Sequence, residues 1–488
     1  MRLDDIIGSM QTIAVHGDAA TDIASLTFDS RSAGPGSCFF AIEGERSDGH
    51  DFMAQATAAG AAAVVCRRMP ERPDPNVTYV EVADTHEALG IMASAFYGHP
   101  SRELQLVGIT GTNGKTTTAT LLYDLFRALG HESGLISTVV YCVGSSRHES
   151  THTTPDPIRL NAMLREMADS GCRYCFMEVS SHAIVQRRIG GLRFAGGVFT
   201  NITREHLDYH KTFAEYIRAK QRFFDDLPAD AFALTDIDDR NGRIMVQNTR
   251  AGVRTMSTRT AADYRCRVVE MHVDGMLLQF GQDEVWVNLI GDFNARNLLA
   301  VYAAALSLGA PRAEVLRLLS TLRSVSGRCE YLRSDDGVTA VVDYAHTPDA
   351  LKNILETMNR IRPSGSRLTV VCGCGGDRDR TKRPEMARTA VQYADMAVFT
   401  SDNPRTESPE AILDQMTAGV TAGDRWLRIT DRAEAIRTAV VMSSPGDMVV
   451  VAGKGHETYQ IVGTERRPFD DREHIRSAFA ARPAAKRK

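Results

Sequence analysis

Short apolar runs alternate with helical patterns along most of the chain. From about residue 101 the runs are LQLVGIT, CRYCFMEVS, FAGGVFTNI and AFALTDID, and beyond a Ser-Gly-Arg turn near 327 they are VTAVVDYAH, RLTVVCGCGG, DMAVFTSDNP and GDMVVVAGKG. Alternation of this kind predicts a mostly parallel sheet covered by helices on both faces. Ligands of open α/β sheets bind beyond the carboxyl ends of the strands, so the polar residues that end these runs are the candidate site residues.

The first part of the chain carries a smaller α/β pattern. An Ala-rich helix is predicted over Met53–Ala62, close to the strand AAAVVC, and Gly98 and Pro100 then interrupt the pattern. A length of 488 residues is too great for one ordinary core. We therefore predict an α/β protein with three domains, at residues 1–99, 100–327 and 328–488.

One strand is followed by a Gly-rich turn and a helix, in the stretch LVGITGTNGKTTTATLLYDLF. Glycines in such a turn let backbone N–H groups converge on phosphate oxygens, and the helix N-terminus adds partial positive charge. Lys115 would reach the β- and γ-phosphates, and Thr116 would place its hydroxyl on Mg²⁺. The spacing departs from the strict P-loop pattern, because Ile109 stands where the first glycine is expected. The stretch nevertheless predicts binding of ATP or GTP.

Composition is that of an ordinary soluble protein, with 43% hydrophobic and 24% charged residues. The net charge of −4 gives no sign of a nucleic-acid surface. The first residues lack the order of a signal peptide and no apolar run is long enough to span a bilayer, so we expect a cytoplasmic protein away from membranes. Nine cysteines do not suggest a disulfide framework, and the pairs Cys172/Cys175 and Cys372/Cys374 lack partners at zinc-finger spacing.

Groups suited to a cation follow the next two strands. EVSSH brings Glu178 to a strand end, although alone it also fits a plain polar strand end. TNITREHLDYH brings His206 and carboxylates to the end of the next strand, which would suit Mg²⁺ beside the phosphate loop. Lys220 lies on a predicted helix and, from its own segment, fits a solvated lysine. Asn294 and Asn297 begin an apolar helix, where they are suited to capping it or to recognising adenine.

The last series of strands ends in groups that bind nucleosides and amino acids. Asp343 and Tyr344 follow a strand, so that the acid could bind ribose hydroxyls and the ring could stack on a base. The segment GCGGDRDRTKRP presents Arg378 and other basic residues, as either a solvated face or an anion site. Arg405 offers a fork-like donor for a carboxylate, and Glu457 an acceptor for an ammonium group.

Taken in order, the motifs GTNGKTT, EVSSH, TNITREHLDYH, SGRCE, DYAHTPDAL, GCGGDRDRTKRP, SDNPRTE and GKGHETYQ resemble those of the Mur ligases, from FDSR near residue 28 to beyond 460. The resemblance implies a small UDP-sugar domain, a central P-loop ATPase domain and a Rossmann-like C-terminal domain. It also implies an ATP- and Mg²⁺-dependent amide-bond ligase of peptidoglycan precursor synthesis. The acceptor would be UDP-N-acetylmuramoyl-L-alanyl-D-glutamate, activated as an acyl phosphate, with release of ADP and phosphate. We expect a monomer.

The resemblance implies roles for individual residues. The catalytic set is Lys115, Glu178, His206 and Lys220, with Lys220 carbamylated and with Thr116, Glu178, His206 and Lys220 near the metal. The ATP set is Gly111, Thr112, Asn113, Gly114, Lys115, Thr116, Thr117, Asn294, Asn297, Arg328 and Asp343. The set for the UDP-muramoyl dipeptide is Phe28, Ser30, Glu45, Arg46, Ser47, His152, Thr153, Thr154, Ser180, Gln186 and Arg188. His152 and the segment Glu45 to Ser47 depart from the usual family pattern.

The amino acid to be added is read from the segment at Asp402 to Arg405, which resembles the version in diaminopimelate-adding family members. The set for meso-diaminopimelate is Arg378, Asp402, Asn403, Pro404, Arg405, Gly453 and Glu457. Diaminopimelate differs from lysine by a distal carboxylate, which Arg405 would hold with help from Arg378. Lysine lacks this carboxylate and would leave Arg405 unpaired in a closed site, which would weaken the binding of lysine.

Two other functions are weighed against this one. A lysine-adding relative or a folylpolyglutamate synthetase would use another acceptor or amino acid, but the folate enzyme should lack SDNPR and FDSR, which are both present. A nucleotide-responsive binding protein that has lost catalysis should have lost at least one catalytic residue, whereas Lys115, Glu178, His206 and Lys220 are all intact.

Overall fold

The computed structural model describes residues 1–8, 10–44, 47–150, 152–421 and 423–482. Its contacts divide the chain into two compact units. Unit 1 comprises Met1–Gly111, Leu122–Thr200 and Ala214–Thr255, and unit 2 comprises Thr112–Leu121, Asn201–Phe213 and Met256–Lys488. Within the described residues, no helix combines the length and the apolar character needed to cross a membrane.

Unit 1 begins with a five-stranded sheet. In spatial order its strands are Ala14–His16, Thr78–Glu81, Ala63–Cys66, Ser37–Phe40 and Ser25–Thr27. All neighbours are parallel except the first pair. Alternate residues of a strand face opposite sides, so Phe40 and Val65 pack in one apolar cluster while Phe39 and Val64 pack in another. Its helices are Leu3–Ile7, Met53–Ala58 and Thr85–Phe96, with 3₁₀ turns at Ser30–Ser32, Gly49–Phe52 and Pro100–Arg102.

The helix predicted over Met53–Ala62 ends earlier than expected, at Ala58. Gly60 has a φ of 104°, which no residue inside a right-handed helix adopts. The N–H of Ala62 then donates to the carbonyl of Ser37 at 2.8 Å and so leads into the neighbouring strand. The alanine composition favoured a longer helix, but the glycine turn and the sheet contact end it.

A larger sheet forms the rest of unit 1. In spatial order its strands are Gly252–Ser257, Phe232–Asp236, Gly196–Phe199, Gln105–Thr110, Tyr174–Glu178, Ser133–Ile136, Val140–Val143 and Ser146–Glu149, and the first of these spans the division between the units. The strands from Phe232–Asp236 to Ser133–Ile136 are parallel, and the last two form antiparallel pairs. Its helices are Lys115–Ala128 and Phe213–Asp225, which both span the division, and Pro157–Asp169, Ser181–Val185 and Gly242–Met245.

Unit 2 is built on a six-stranded sheet. In spatial order the strands are Glu330–Arg333, Thr339–Asp343, Met448–Ala452, Leu368–Cys372, Met396–Phe399 and Trp426–Arg428. Only the first strand is antiparallel to its neighbour. Apolar clusters lie on both faces, under helices Pro348–Ile361, Lys382–Tyr393, Pro409–Thr417, Arg432–Val441 and Asp471–Ala480.

Smaller elements complete unit 2. An antiparallel sheet contains strands Arg267–His272, Gly275–Phe280 and Asp283–Val287, and a hairpin joins Tyr459–Val462 to Glu465–Pro468. Strand Tyr264–Arg265 pairs with the end of Gly252–Ser257. The remaining helices are Leu207–His210, Asp292–Ser307 and Arg312–Leu319. The predicted α/β class, with mostly parallel sheets covered by helices, is confirmed.

A fully buried ion pair joins the starts of two helices in unit 2. Arg432 and Asp471 are both 0% exposed, and two hydrogen bonds of 2.7 Å connect the guanidinium to the carboxylate. Arg432 also donates to the carbonyl of Ala452, at the end of the central strand, at 3.1 Å. The pair therefore ties both helices to the sheet edge.

Replacing Arg432 by Met should lower the free energy of unfolding by about 3–5 kcal/mol, because Asp471 would stay buried without its partner. The exposed pair Arg437–Glu434 offers the matched control, and Arg437→Met should cost less than about 1 kcal/mol. Urea unfolding followed by far-UV circular dichroism measures both variants. Equal losses in the two would show that the buried pair adds nothing beyond an exposed one.

Candidate functional site

The Gly-rich turn of unit 2 is held by the side chain of Asn201. The N–H of Asn113 donates to Asn201 Oδ1 at 2.9 Å, and Asn201 Nδ2 donates to the carbonyl of Asn113 at 3.0 Å. The N–H of Thr112 donates to the carbonyl of Asn201 at 2.8 Å. Asn201 was not among the predicted site residues, although its amide side chain after a strand was the available signal. These bonds fix the loop that is predicted to bind phosphate.

Position 114 requires glycine, because its backbone has a positive φ and a neighbouring side chain leaves no room for a Cβ. Its φ is 86°, and a Cβ there would lie 2.4 Å from Asn297 Oδ1. Asn297 donates to Asn294 Oδ1 at 3.1 Å, and Asn294 in turn donates to the carbonyl of Ile290 at 2.8 Å. The structure thus places both predicted amides at the start of helix Asp292–Ser307, beside the loop.

Arg328 connects the loop to the C-terminal sheet of unit 2. Its Nη2 donates to Thr116 Oγ1 at 3.2 Å, and its guanidinium lies 4.3 Å from the centre of the Tyr344 ring. Lys115 folds back, so that its Nζ donates to the carbonyl of Thr112 at 2.8 Å. Predicted residues of the ATP set are therefore brought together in unit 2.

Asp343 supports the turn before it. One carboxylate oxygen accepts the N–H of Cys329 at 2.7 Å, and the other accepts that of Ala345 at 2.8 Å. Burial raises the pKa of Asp343, against the opposing effect of the Arg328 charge and these bonds. The predicted contact of Asp343 with ribose remains a prediction, and the structure gives the residue a supporting role.

His206 lies beside the partly buried carboxylate of Glu205 in unit 2. Its backbone has a φ of 57°, a conformation that few non-glycine residues adopt. Its Nε2 is 3.8 Å from Glu205 Oε2, and His346 Nε2 is 3.4 Å from Glu205 Oε1. Burial raises the pKa of Glu205, but His346, His206 and Lys115 outweigh burial and bring it to about 2. Glu205 is thus an anion near two imidazoles. It and His346 lie in the motifs TNITREHLDYH and DYAHTPDAL, but the residue sets implied by the resemblance include neither.

Glu178, at the end of its strand in unit 1, has one satisfied and one unsatisfied oxygen. Oε1 accepts the N–H of Thr138 at 2.7 Å, whereas the buried Oε2 has no hydrogen-bond partner among the described residues. Glu178 itself is 1% exposed. A buried carboxylate oxygen without a donor is costly, and a bound cation would satisfy it.

Several residues predicted to bind the muramoyl dipeptide surround the same strand end. Thr154 Oγ1 donates to the Glu178 carbonyl at 2.8 Å and accepts the N–H of Ser180 at 3.2 Å. Arg188 donates to the Thr154 carbonyl at 2.9 Å, and the Thr153 hydroxyl lies 3.0 Å from that of Thr138. The structure therefore brings Thr153, Thr154, Ser180 and Arg188 together.

The other residues of that predicted set lie elsewhere in unit 1. Backbone groups of His152 exchange hydrogen bonds with the Tyr141 hydroxyl, and Gln186 ends helix Ser181–Val185. Ser30 Oγ donates to Gln55 Oε1 at 3.1 Å beside the first sheet. Phe28 and Ser47 are exposed, and Glu45 and Arg46 lie outside the described residues.

Lys220 is buried, which overturns the interpretation of a solvated helix lysine. It is 1% exposed on helix Phe213–Asp225. Its Nζ donates to the Gly111 carbonyl at 2.9 Å and to Thr110 Oγ1 at 3.4 Å, and lies 4.8 Å from the centre of the Tyr216 ring. The helix carries this amine to the end of the strand that precedes the phosphate loop.

The predicted diaminopimelate residues gather at strand ends of unit 2. Asn403 Nδ2 donates to Glu457 Oε2 at 2.8 Å, and a Cβ at Gly453 would lie 3.1 Å from Asp402 Oδ2. Arg405, with a φ of 51°, donates to the Gly376 carbonyl at 2.8 Å. Pro404 lies between Asn403 and Arg405, with its carbonyl near Gly376, and the exposed Arg378 donates to the carbonyl of Asp377 at 3.1 Å. Cation and carboxylate groups thus lie at one sheet edge.

Comparisons with known proteins agree along the chain. Three family models match: the Mur ligase family, catalytic domain, over residues 22–97; the Mur ligase middle domain over 109–305; and the Mur ligase, glutamate ligase domain, over 327–455. Proteins of Cytophaga hutchinsonii and Phocaeicola vulgatus, both named UDP-N-acetylmuramoyl-L-alanyl-D-glutamate--2,6-diaminopimelate ligase, are 52% and 51% identical. These matches cover 97% and 98% of this chain and 98% and 100% of the relatives.

A solved structure of an enzyme with the same name is 31% identical, with a TM-score of 0.71 and coverage of 99% of both chains. The region of this chain that is similar to the solved structure includes both units, and so do the regions that match the two relatives. The chain belongs to the Mur ligase family.

Proposed function

We propose that the protein is an ATP-dependent ligase that adds meso-2,6-diaminopimelate to the D-glutamate γ-carboxylate of UDP-N-acetylmuramoyl-L-alanyl-D-glutamate. The products are the extended precursor, ADP and phosphate, and the enzyme acts in the cytoplasm as a monomer with the three domains predicted from the sequence. The observation that carries the proposal is the gathering of Arg405, Asp402 and Glu457 at one sheet edge of unit 2. The distal end of diaminopimelate carries one carboxylate and one ammonium group, which this set complements.

ATP supplies the activation that a carboxylate lacks. The charge of a carboxylate repels a nucleophile, and a carboxylate has no good leaving group. Phosphorylation to an acyl phosphate removes both obstacles, because phosphate can leave. The loop amides around Asn113 and Gly114, with Lys115, would bind and neutralise the phosphates. The amine of diaminopimelate then attacks the acyl carbon, and the tetrahedral intermediate releases phosphate. Such a reaction depends on positioning and charge neutralisation and needs no protein nucleophile.

We assign Mg²⁺ binding to Thr116, Glu178, His206 and Lys220. The unsatisfied buried oxygen of Glu178 supports this assignment, because a carboxylate oxygen is a preferred ligand of Mg²⁺. Carbamylation would turn the buried amine of Lys220 into a carboxylate and remove a competing cation. When bound, Mg²⁺ would neutralise the phosphate charge that develops during transfer. On the sugar side, Thr153, Thr154, Ser180 and Arg188 would hold the muramoyl dipeptide.

The assignment of the amino acid is tested by phosphate release with ATP, Mg²⁺ and the UDP-muramoyl dipeptide. Release and a matching product mass should appear with meso-diaminopimelate and not with L-lysine. Arg405→Met should lower kcat/KM for diaminopimelate about 100-fold, since the distal carboxylate loses its partner. The exposed Arg437→Met serves as the control and should retain full activity. Preferential turnover of lysine would overturn the assignment.

Gly114→Ala should weaken binding of Mg-ATP at least about tenfold, because the new Cβ collides with Asn297 and the backbone is strained. Gly130→Ala is the matched control, since Gly130 has nearly the same φ, 87°, but nothing within 4 Å of the added Cβ. Titration calorimetry with the purified variants gives both affinities. Equal affinities would mean that the close approach of Gly114 to Asn297 is not needed for nucleotide binding.

The carbamate of Lys220 predicts a dependence on dissolved CO₂. Activity should fall in CO₂-depleted buffer and return when bicarbonate is added, whereas Lys220→Arg should be inactive in both. Lys352→Arg, on an exposed helix position, should behave as the unaltered protein. A Lys220→Arg variant with normal turnover, or an activity indifferent to bicarbonate, would contradict the modification.

A further inference from the structure

Lys454 is a buried cation at the amino-acid end of unit 2, and it lies outside the set of residues predicted to bind diaminopimelate. It is 0% exposed and follows the central strand Met448–Ala452. Its Nζ donates to Asn403 Oδ1 and to Glu457 Oε2, both at 3.0 Å. It also lies 3.7 Å from Asp402 Oδ1 and 5.6 Å from the centre of the Tyr459 ring. One buried amine therefore contacts three residues that we assign to the substrate.

The bonds around Lys454 leave two carboxylate oxygens available. Asp402 Oδ1 is buried and has no hydrogen-bond partner among the described residues. Glu457 Oε2 already accepts from Lys454 and Asn403, so Oε1 is left for a ligand. The neighbouring Arg432 does not supply a spare charge, because Asp471 neutralises it. The pocket thus retains acceptors for a cationic group.

Among the assigned residues that are not exposed, the charges of this pocket cancel when Arg405 is included, and the charge of the exposed Arg378 is screened by solvent. Asp402 and Glu457 contribute two negative charges, and Lys454 and Arg405 contribute two positive charges. The distal end of diaminopimelate is itself neutral, with one ammonium and one carboxylate. The side chain of lysine carries one net positive charge, so binding lysine would leave the pocket with an excess positive charge. Uncompensated charge in a desolvated site is costly.

We propose that Lys454 is a specificity-determining positioning residue, whose buried charge makes the pocket neutral and thereby favours diaminopimelate over lysine. It orients Glu457 and Asn403 for the distal ammonium and leaves Asp402 Oδ1 as a further acceptor. Arg405 holds the carboxylate, but the charge balance that rejects lysine depends equally on Lys454. This inference rests on the proposed function.

The test compares two charge changes of opposite sign. Lys454→Gln removes a positive charge but keeps a hydrogen-bond donor, so the ratio of kcat/KM for diaminopimelate to that for L-lysine should fall about tenfold. Glu457→Gln removes a negative charge, so the same ratio should rise although both substrates bind more weakly. Lys454→Arg keeps the charge and should restore most of the ratio. Most of each change should appear in KM rather than kcat.

Lysine is measured as a substrate or, where its turnover is too slow, as a competitive inhibitor against diaminopimelate. If both variants change the ratio in the same direction, or neither changes it, Lys454 acts only in folding and the inference is overturned. Thermal melting identifies a Lys454→Gln variant that fails to fold. In that case Glu457→Gln decides, provided that thermal melting shows it folded: its ratio must rise, and an unchanged or lower ratio overturns the inference. The Glu457 side chain is 14% exposed, so this change is made at a partly solvated position. Failure of the unaltered protein to use diaminopimelate would overturn the proposed function instead.

Discussion

Charged side chains buried at the ends of parallel strands are the constraint on which the rest of this structure depends. Glu178 ends a strand of unit 1, and Lys454 follows the central strand of unit 2, each almost without exposure. A charge in the interior loses its hydration and must find partners there. The loops after these strands are therefore arranged around the charge, as Thr138 donates to Glu178 and Asn403 accepts from Lys454.

The buried charges fall into two groups that have different consequences. Arg432 and Asp471 neutralise each other through two hydrogen bonds and join helices to the sheet, although Arg432 Nη1 has no hydrogen-bond partner among the described residues. Glu178 and Asp402 instead each keep one buried oxygen without a hydrogen bond among the described residues. Breaking the pair would leave a buried charge alone, whereas an unsatisfied oxygen already lowers stability in the unliganded protein. Buried atoms without a partner also occur elsewhere in the described residues, Asp225 Oδ1 among them, so the oxygens of Glu178 and Asp402 indicate a binding role only together with the motifs that contain them.

Much of the fold followed from local pattern. Runs such as LQLVGIT and GDMVVVAGKG became the buried strands Gln105–Thr110 and Met448–Ala452, because both faces of a parallel sheet are covered. The order of strands and the antiparallel hairpins depend on pairing between distant segments, which apolar runs do not encode. The burial of Lys220 could not be predicted locally either, because its segment fitted an exposed helix position. Its surroundings include Gly111 and Thr110, which lie more than a hundred residues earlier in the chain.

Motif order predicts where the site lies but does not separate residues that would contact a ligand from residues that support them. Asp343 belongs to a family motif, yet both of its oxygens accept amides of Cys329 and Ala345 and so stabilise a turn. Asn201 and Lys454 lie in motifs too, and the structure gives them the bonds that hold the phosphate loop and Glu457. Which residue touches a ligand depends on how many of its bonding positions remain after folding. That number is a property of the packed structure, so it had to be read from distances rather than from spacing.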